Sequence, residues 1–420
     1  MKKLLFALLS VASSAYATDA LIDVSNVRMS QDVTTRRVTV KYDLSITNSE
    51  GTSLEGALIR LDVLTNTPSG YVSIGREYVK TLSGDYSPSS NSAGTKNLIA
   101  AGTDKTIVWN AKKDFPNQRL TDVKVAVKAY YPGELVFDEW KYFFIEIGSD
   151  TTQTAKYSWV LTDLTPSEYN SVADAWKITA SQIWFVSCPA GTFMMGAPEN
   201  AINYQTQRPQ HKVTLTQPFF MEITPITMHQ WSRVANYSLS TSALAQNGVS
   251  IDALMGVNWY TTRIIDASSV VGKIRARSGL NVTLPTEAQW EYACRAGSKG
   301  TFTGTDTYFT TAEERNAYYL NTFGVTYKTY NRSTTWNVNA NAWGVAGMHT
   351  SIATWCQDTQ DAVAAADAVD PCTRGTSAGF VLRGPWQWGG GATCHDFPGN
   401  AGINHSFNDT STGVRLVVMP

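Results

Sequence analysis

Near the end of the 420-residue chain, Cys394, His395 and Asp396 stand side by side. These are the residue types of a thiol catalytic triad, in which an imidazole takes the thiol proton and a carboxylate orients the imidazole. Adjacent side chains rarely converge on one point, however, because triads are assembled from distant segments. A loop whose cysteine is structural or disulfide-bonded is the better reading. The other cysteines are Cys188, Cys294, Cys356 and Cys372, with no CxxC pair, which argues against a structural zinc site. Five is an odd number, so at least one thiol stays unpaired within the chain. Cys356 and Cys372 flank an acid-and-alanine stretch from Asp358 to Asp370 that has no EF-hand pattern, and the two are candidates for closing a disulfide loop. The histidines (His211, His229, His349, His395, His405) show no His-x-x-x-His or two-histidine-one-carboxylate spacing. His211 reads as structural; His395 and His405 could meet across a loop and hold a metal.

The tail offers a second chemistry, recognition. Between Pro385 and Thr412 the chain is largely Gly, Asn, Ser, Thr, Ala, His and Asp, with Trp386, Trp388, Phe397 and Phe407 set among them. Aromatic anchors among small polar residues are what binding loops use: large contact area, few torsions to freeze, and backbone that can approach a ligand. The candidate contact residues are therefore Trp386, Trp388, His395, Phe397 and Phe407. The segment sits between two more ordinary stretches, Phe380–Arg383 and Gly413–Val418.

A chain of this length needs more than one core. Hydrophobic residues make up 43% and charged residues 16%, so it can bury those cores and is not of disordered composition. The formal charge is −1 with no basic stripe, which excludes a dedicated nucleic-acid binder. Lys2 and Lys3, the apolar run Leu4–Leu9 and Ala15-Tyr16-Ala17 form a secretory signal peptide over 1–17. No later run is long and apolar enough for a transmembrane segment, so the mature chain is expected to be exported: periplasmic, cell-surface or secreted. From 18 to 148 the pattern is β. Val38, Val40, Tyr42, Leu44 and Ile46 alternate with polar residues, as do Ile59, Leu61, Val63 and Val123, Val125, Val127. That spacing predicts an immunoglobulin- or fibronectin-like β-sandwich serving as spacer or docking module. A polar linker over 149–184 follows, and a second domain over 185–420.

The second domain carries "FVSCPAGTFMMG" from Phe185, "RPQHKVTLTQPFFMEITPITMHQW" from Arg208, "LPTEAQWEYACRAG" from Leu284, "NAWGVAGMHTSIATWCQD" from Asn341 and the terminal "TGVRLVV". Thr227 reads as a helix N-cap, and Thr286 with Gln289 as a capping box opening a helix whose Trp290, Ala293 and Cys294 share a buried face. Five motifs in this order resemble the formylglycine-generating enzyme family, also called sulfatase-modifying factors, over roughly 185–418. The resemblance implies an irregular α+β fold related to C-type lectins. It implies an oxidase that converts a protein cysteine to formylglycine with copper(I) held by two cysteines, since a soft ion prefers soft sulfur. It also implies calcium, held by hard oxygen ligands. Cys394 falls at the second copper cysteine, but the first falls at Gly389, and Arg383-Gly384-Pro385-Trp386 replaces the family's Arg-Gly-Gly-Ser. At the calcium motif Thr354 stands for the glutamate and Ser351 for the asparagine. Neither family cofactor site is retained as such. A varied segment between fixed brackets on this scaffold resembles the variable proteins of diversity-generating retroelements. The sequence thus points to an exported, non-catalytic binder of a protein or glycan outside the cell, with 385–412 as its binding loop and Arg383, Trp355 and Arg415 holding the fold beneath it. The alternative is an oxidase of the formylglycine type.

Overall fold

The computed structural model describes residues 21–420 except 48–55, 76–77, 88–97, 117–121, 131–139, 149–156, 171–180, 203–208, 236–239, 327–339, 360–365, 375–378, 386–392 and 396–403. The signal peptide expected over 1–17 lies outside the described residues. Two compact units form, the second running from Leu135 to Pro420.

Among the described residues the first unit has seven strands: β1 (Leu21–Gln31), β2 (Arg37–Thr47), β3 (Leu58–Thr67), β4 (Gly70–Ser73), β5 (Leu82–Gly84), β6 (Gly102–Asn110) and β7 (Val123–Tyr130). They make a four-stranded sheet, β1-β2-β6-β5, and a three-stranded sheet, β4-β3-β7. Alternation does what period 2 requires: Val38, Val40, Tyr42 and Leu44 are buried while Arg37, Lys41 and Ser45 are exposed. Residues from both sheets, among them Val40, Tyr42, Ile59, Val63, Ile107, Trp109 and Val125, form one buried cluster. The Asp32 carboxylate closes the β1–β2 turn by accepting from the Thr34 and Thr35 amides at 3.1 and 2.6 Å.

In the second unit β8 (Tyr142–Glu146), β9 (Ser158–Thr162), β10 (Gln182–Cys188), β13 (Phe219–Glu222), β14 (Val282–Thr283) and β19 (Val417–Val418) form a six-stranded sheet in the order β14-β19-β13-β10-β8-β9. The boundary drawn from sequence therefore moves. Tyr142–Glu146, assigned above to the sandwich, and Ser158–Thr162, assigned to the linker, are hydrogen-bonded strands of this sheet. Alternation reveals a strand but not the sheet it joins. Here the packing of Phe143 against Phe185, with ring centroids 4.6 Å apart, and against Phe220 at 4.7 Å ties β8 to β10 and β13. A second sheet joins β11 (Gly191–Met195), β12 (His211–Leu215) and β16 (Ala368–Val369), and a third joins β15 (Ala353–Thr359), β17 (Phe380–Arg383) and β18 (Thr412–Gly413). The mixture is α+β. Among the described residues no helix is long and apolar enough to cross a membrane.

Two helices sit where the capping signals place them. The Thr227 amide donates to Gln230 Oε1 and the Gln230 amide to Thr227 Oγ1, opening Met228–Ala235. Thr286 and Gln289 form the complete capping box of Glu287–Arg295. That helix ends at Ala296 and Gly297, both at positive φ. Its residues from Ala288 to Arg295 are all buried, so it is the central pillar of the unit.

The third sheet has a connectivity that matters for function. β17 pairs with β15 antiparallel, and β18 pairs with the same β15 in parallel. The chain leaves the sheet at Gly384 and re-enters it at Thr412. Gly384 is required at the exit: its φ is +104°, and a Cβ there would lie 3.1 Å from the Ile352 carbonyl oxygen.

Candidate functional site

The floor of the site is a buried ionic network. Glu291, on the central helix, pairs with Arg295 one turn on, at 2.7 Å, and with Arg383 of β17. Its Oε1 also accepts the Gly196 amide at 2.8 Å. Arg295 donates to the carbonyls of Gly196, Lys299 and Gly300 at 2.8–2.9 Å, and Arg383 to the His395 carbonyl at 2.7 Å. Burial opposes the Glu291 charge, but the two guanidiniums overcome it and hold the carboxyl below its ordinary range. Arg415 donates to the carbonyls of Glu222, Ile223 and Ala346 at 2.6–2.7 Å, and the Trp355 indole to the Val249 carbonyl at 2.6 Å. Arg383, Trp355 and Arg415 are thus all buried and bonded to the fold.

Cys394 is fully buried, and its thiol does not use its chain neighbours. Its Sγ lies 3.5 Å from Cys294 Sγ, on the last turn of the central helix, and 3.9 Å from His349 Nε2. Cys294 Sγ is itself 3.7 Å from that nitrogen. The Cys394 amide donates to the Thr301 carbonyl at 2.8 Å, and the Tyr319 hydroxyl donates to the His349 carbonyl at 2.5 Å, which sets both residues in place. The Thr303 amide donates to His349 Nε2 at 3.1 Å, and the rings of Phe302 and Phe323 pack against the imidazole. Burial pushes the Cys294 thiol well above its ordinary range, and its hydrogen bond to Cys394 adds to this. Burial works the same way on Cys394, but the hydrogen bond from Cys294, the contact with His349 and the charge of Arg295 bring that thiol well below its ordinary range.

Cys394 does not take His395 as its imidazole, in keeping with the structural reading preferred from sequence: the imidazole beside the thiol is His349, and Asp396 lies outside the described residues. Other positions correct expectations. His395, named above as a contact residue, is fully buried, with its ring 5.8 Å from Tyr308, because its carbonyl is tied down by Arg383. His405 does not share its surroundings: it pairs with Asp252 at 2.8 Å and stacks on Tyr260 at 4.1 Å. Cys356 and Cys372 are both free thiols and close no disulfide. Phe407 is half-buried, edge-on to Trp355 at 6.5 Å. Trp386, Trp388, Gly389 and Phe397 lie outside the described residues. Sequence reasoning missed the pairing of Cys294 and His349 with Cys394. Cys294 is legible as a buried helix residue, but nothing local links it to a cysteine 100 positions away.

The residues present do not fit the family's cofactors at the family's positions. Gly389 has no side chain to bind copper. Thr354 is buried and accepts the Trp290 indole N–H at 3.0 Å, so a neutral hydroxyl already engaged in the core stands where calcium needs a carboxylate. Elsewhere on the unit a cleft of about 490 Å³ is lined by Trp259, Arg263, Arg275, Gln357 and Arg374. Arg263 there donates to the Gln357 carbonyl and Arg275 to the Val282 carbonyl, so both guanidiniums are engaged by the fold.

Burial also sets a pH dependence. Glu222 accepts the Leu416 amide at 2.8 Å, and burial pushes its carboxyl up to about 8 despite the nearby Arg415. A carboxyl raised on folding holds its proton in the native state and loses it in the unfolded chain between those two pKa values. Its contribution is therefore present at acid pH and lost as pH rises from about 4.5 towards about 8. Glu222→Gln keeps the acceptor and removes the titration. We expect melting curves at pH 5 and pH 8 to show a smaller fall in stability with rising pH for the variant than for the parent. An equal fall would place the titration elsewhere.

The profile described as the sulfatase-modifying factor enzyme 1-like domain matches residues 178–418. Among solved structures, variable protein 1 of Treponema denticola is 18% identical, with a TM-score of 0.41, over 57% of this chain and 96% of that one. PvdO from Pseudomonas aeruginosa is 17% identical, with a TM-score of 0.38, over 57% of this chain and 95% of that one. No curated protein matches the chain.

Proposed function

Since this chain belongs to the sulfatase-modifying factor enzyme 1-like family, we propose that it is an exported binding protein that uses the family scaffold for display rather than for catalysis. The observation that carries this reading is the bracket around the tail. β17 and β18 flank one central strand, β15, so the segment between them starts and ends on the same rigid sheet. Its middle is held as well: Thr393, Cys394 and His395 are buried, with the Cys394 amide on the Thr301 carbonyl and the His395 carbonyl on Arg383. Fixing both ends and the centre lowers the ordering cost of binding, while residues between the fixed points are free to vary in type.

Trp386, Trp388, Phe397 and Phe407 are the contact residues of this proposal; His395 is buried and is not among them. The ligand is a protein or glycan at the cell surface or outside the cell. Export rests on the signal-peptide pattern at 1–17, and the first unit serves as an immunoglobulin-like spacer or docking module. Diversification by a retroelement is the finer form of the reading, with variation falling within 385–412.

The displaced alternative is the formylglycine-type oxidase. It requires a thiolate pair that a substrate cysteine can reach, whereas Cys394 is fully buried and Gly389 contributes nothing. The test is to incubate the full chain with copper(I), oxygen and a Cys-x-Pro-x-Arg peptide and to follow the peptide by mass spectrometry. We expect unchanged peptide; catalytic conversion of its cysteine to the aldehyde would restore the oxidase reading.

A further inference from the structure

We propose that Cys294, His349 and Cys394 form a buried site for a thiophilic d¹⁰ cation, copper(I) in three-coordination, built from a different set of donors than the family's cysteine pair. The inference is independent of the ligand-binding reading.

Among the described residues these three are the group of cysteine, histidine and acidic side chains whose donor atoms could converge on an ion, and all three are buried. The donors form a triangle with edges of 3.5, 3.7 and 3.9 Å. A point equidistant from its corners lies about 2.1 Å from each, close to the roughly 2.3 Å of a metal–thiolate bond and the roughly 2.0 Å of a metal–imidazole bond known for zinc. The three donor atoms thus already stand at metal-ligating separation from one point. They come from three distant places: the last turn of the central helix, the turn after Gly347 and the buried middle of the tail.

Donor type and number select the ion. Two thiolates and an imidazole are soft donors, and a three-donor site suits copper(I), whereas structural zinc almost always takes four ligands. Charge is also provided for. Two thiolates with one copper(I) carry a net −1, and the charges of Arg295 and Arg383, which also pair with Glu291 and Glu287, act on the thiols. Binding releases the thiol protons and changes no oxidation state. The Nε2 lone pair that now accepts the Thr303 amide turns to the ion. The rival outcome at these two sulfurs is a disulfide, which needs them to close from 3.5 Å to about 2.05 Å.

The test uses the full chain, reduced under anaerobic conditions and titrated with copper(I) against the chromophoric chelator bicinchoninate. We expect one tightly held ion per chain, with X-ray absorption showing two sulfurs and one nitrogen as its neighbours. Cys294→Ala and Cys394→Ala should abolish one-to-one binding. Cys188→Ala, at a buried cysteine outside the cluster, should retain it. Should the cysteine variants fail to fold, the absorption spectrum of the parent protein still decides. Failure to bind, an absorption spectrum lacking two sulfur neighbours, or equal binding by Cys294→Ala would overturn the proposal. So would a Cys294–Cys394 disulfide in the protein as isolated from its export compartment.

Discussion

Glu291→Gln will destabilise the second unit more than any other single isosteric change in the network beneath the tail. The carboxylate sits between Arg295 and Arg383 and also accepts the Gly196 amide, with all three side chains almost without exposure. Glutamine keeps the volume but removes the charge, and its amide hydrogens face donors. Arg295 then loses its counter-ion, and Arg383 keeps only Glu287, 3.6 Å from its Nε. Breaking a buried pair by removing one partner costs about 3–5 kcal/mol, because the remaining charge stays desolvated. For a unit of this size that corresponds to a fall in Tm of roughly 6–20 °C. Thermal unfolding followed by circular dichroism checks it. A change of less than about 1 kcal/mol would mean that Arg295 and Arg383 are satisfied by their carbonyl contacts alone.

Replacing Trp386 and Trp388 together by alanine has the second large effect, on binding rather than folding. Tryptophan is enriched among the few residues that carry most of an interface's energy, and truncating such an anchor costs about 2 kcal/mol or more. Two anchors correspond to a loss of affinity of roughly 100-fold or more. If these side chains serve a ligand rather than the fold, as proposed, stability should move by no more than about 0.5 kcal/mol. The contrast with Glu291→Gln is the point: one residue holds the bracket, the others act from what the bracket displays.

How much of this was legible in the sequence depends on how local each signal is. The capping box at Thr286, the N-cap at Thr227 and the alternation in Arg37–Thr47 are written within a few residues, and the structure agrees with them. The motif order was sufficient to identify the family. Sheet membership was not legible: Tyr142–Glu146 reads as one more strand, and only its pairing with Gln182–Cys188 assigns it to the second unit. The Cys294–His349–Cys394 cluster was hidden for the same reason, since its members meet only once the central helix, the Gly347 turn and the tail are packed. His395 was misjudged because a polar residue in a polar segment looks exposed. Its backbone hydrogen bond to Arg383 draws it under the surface.

The central claim is that 385–412 binds a ligand on a scaffold that no longer needs it for catalysis. The most direct measurement compares the parent chain with the Trp386→Ala/Trp388→Ala variant on an array of glycans and cell-surface proteins, with unfolding curves recorded for both. The account predicts a ligand bound by the parent, its signal lost in the variant, and melting temperatures that agree within about 2 °C. A ligand held equally well by the two proteins, or a variant that unfolds with the parent's binding lost only through that unfolding, would contradict it.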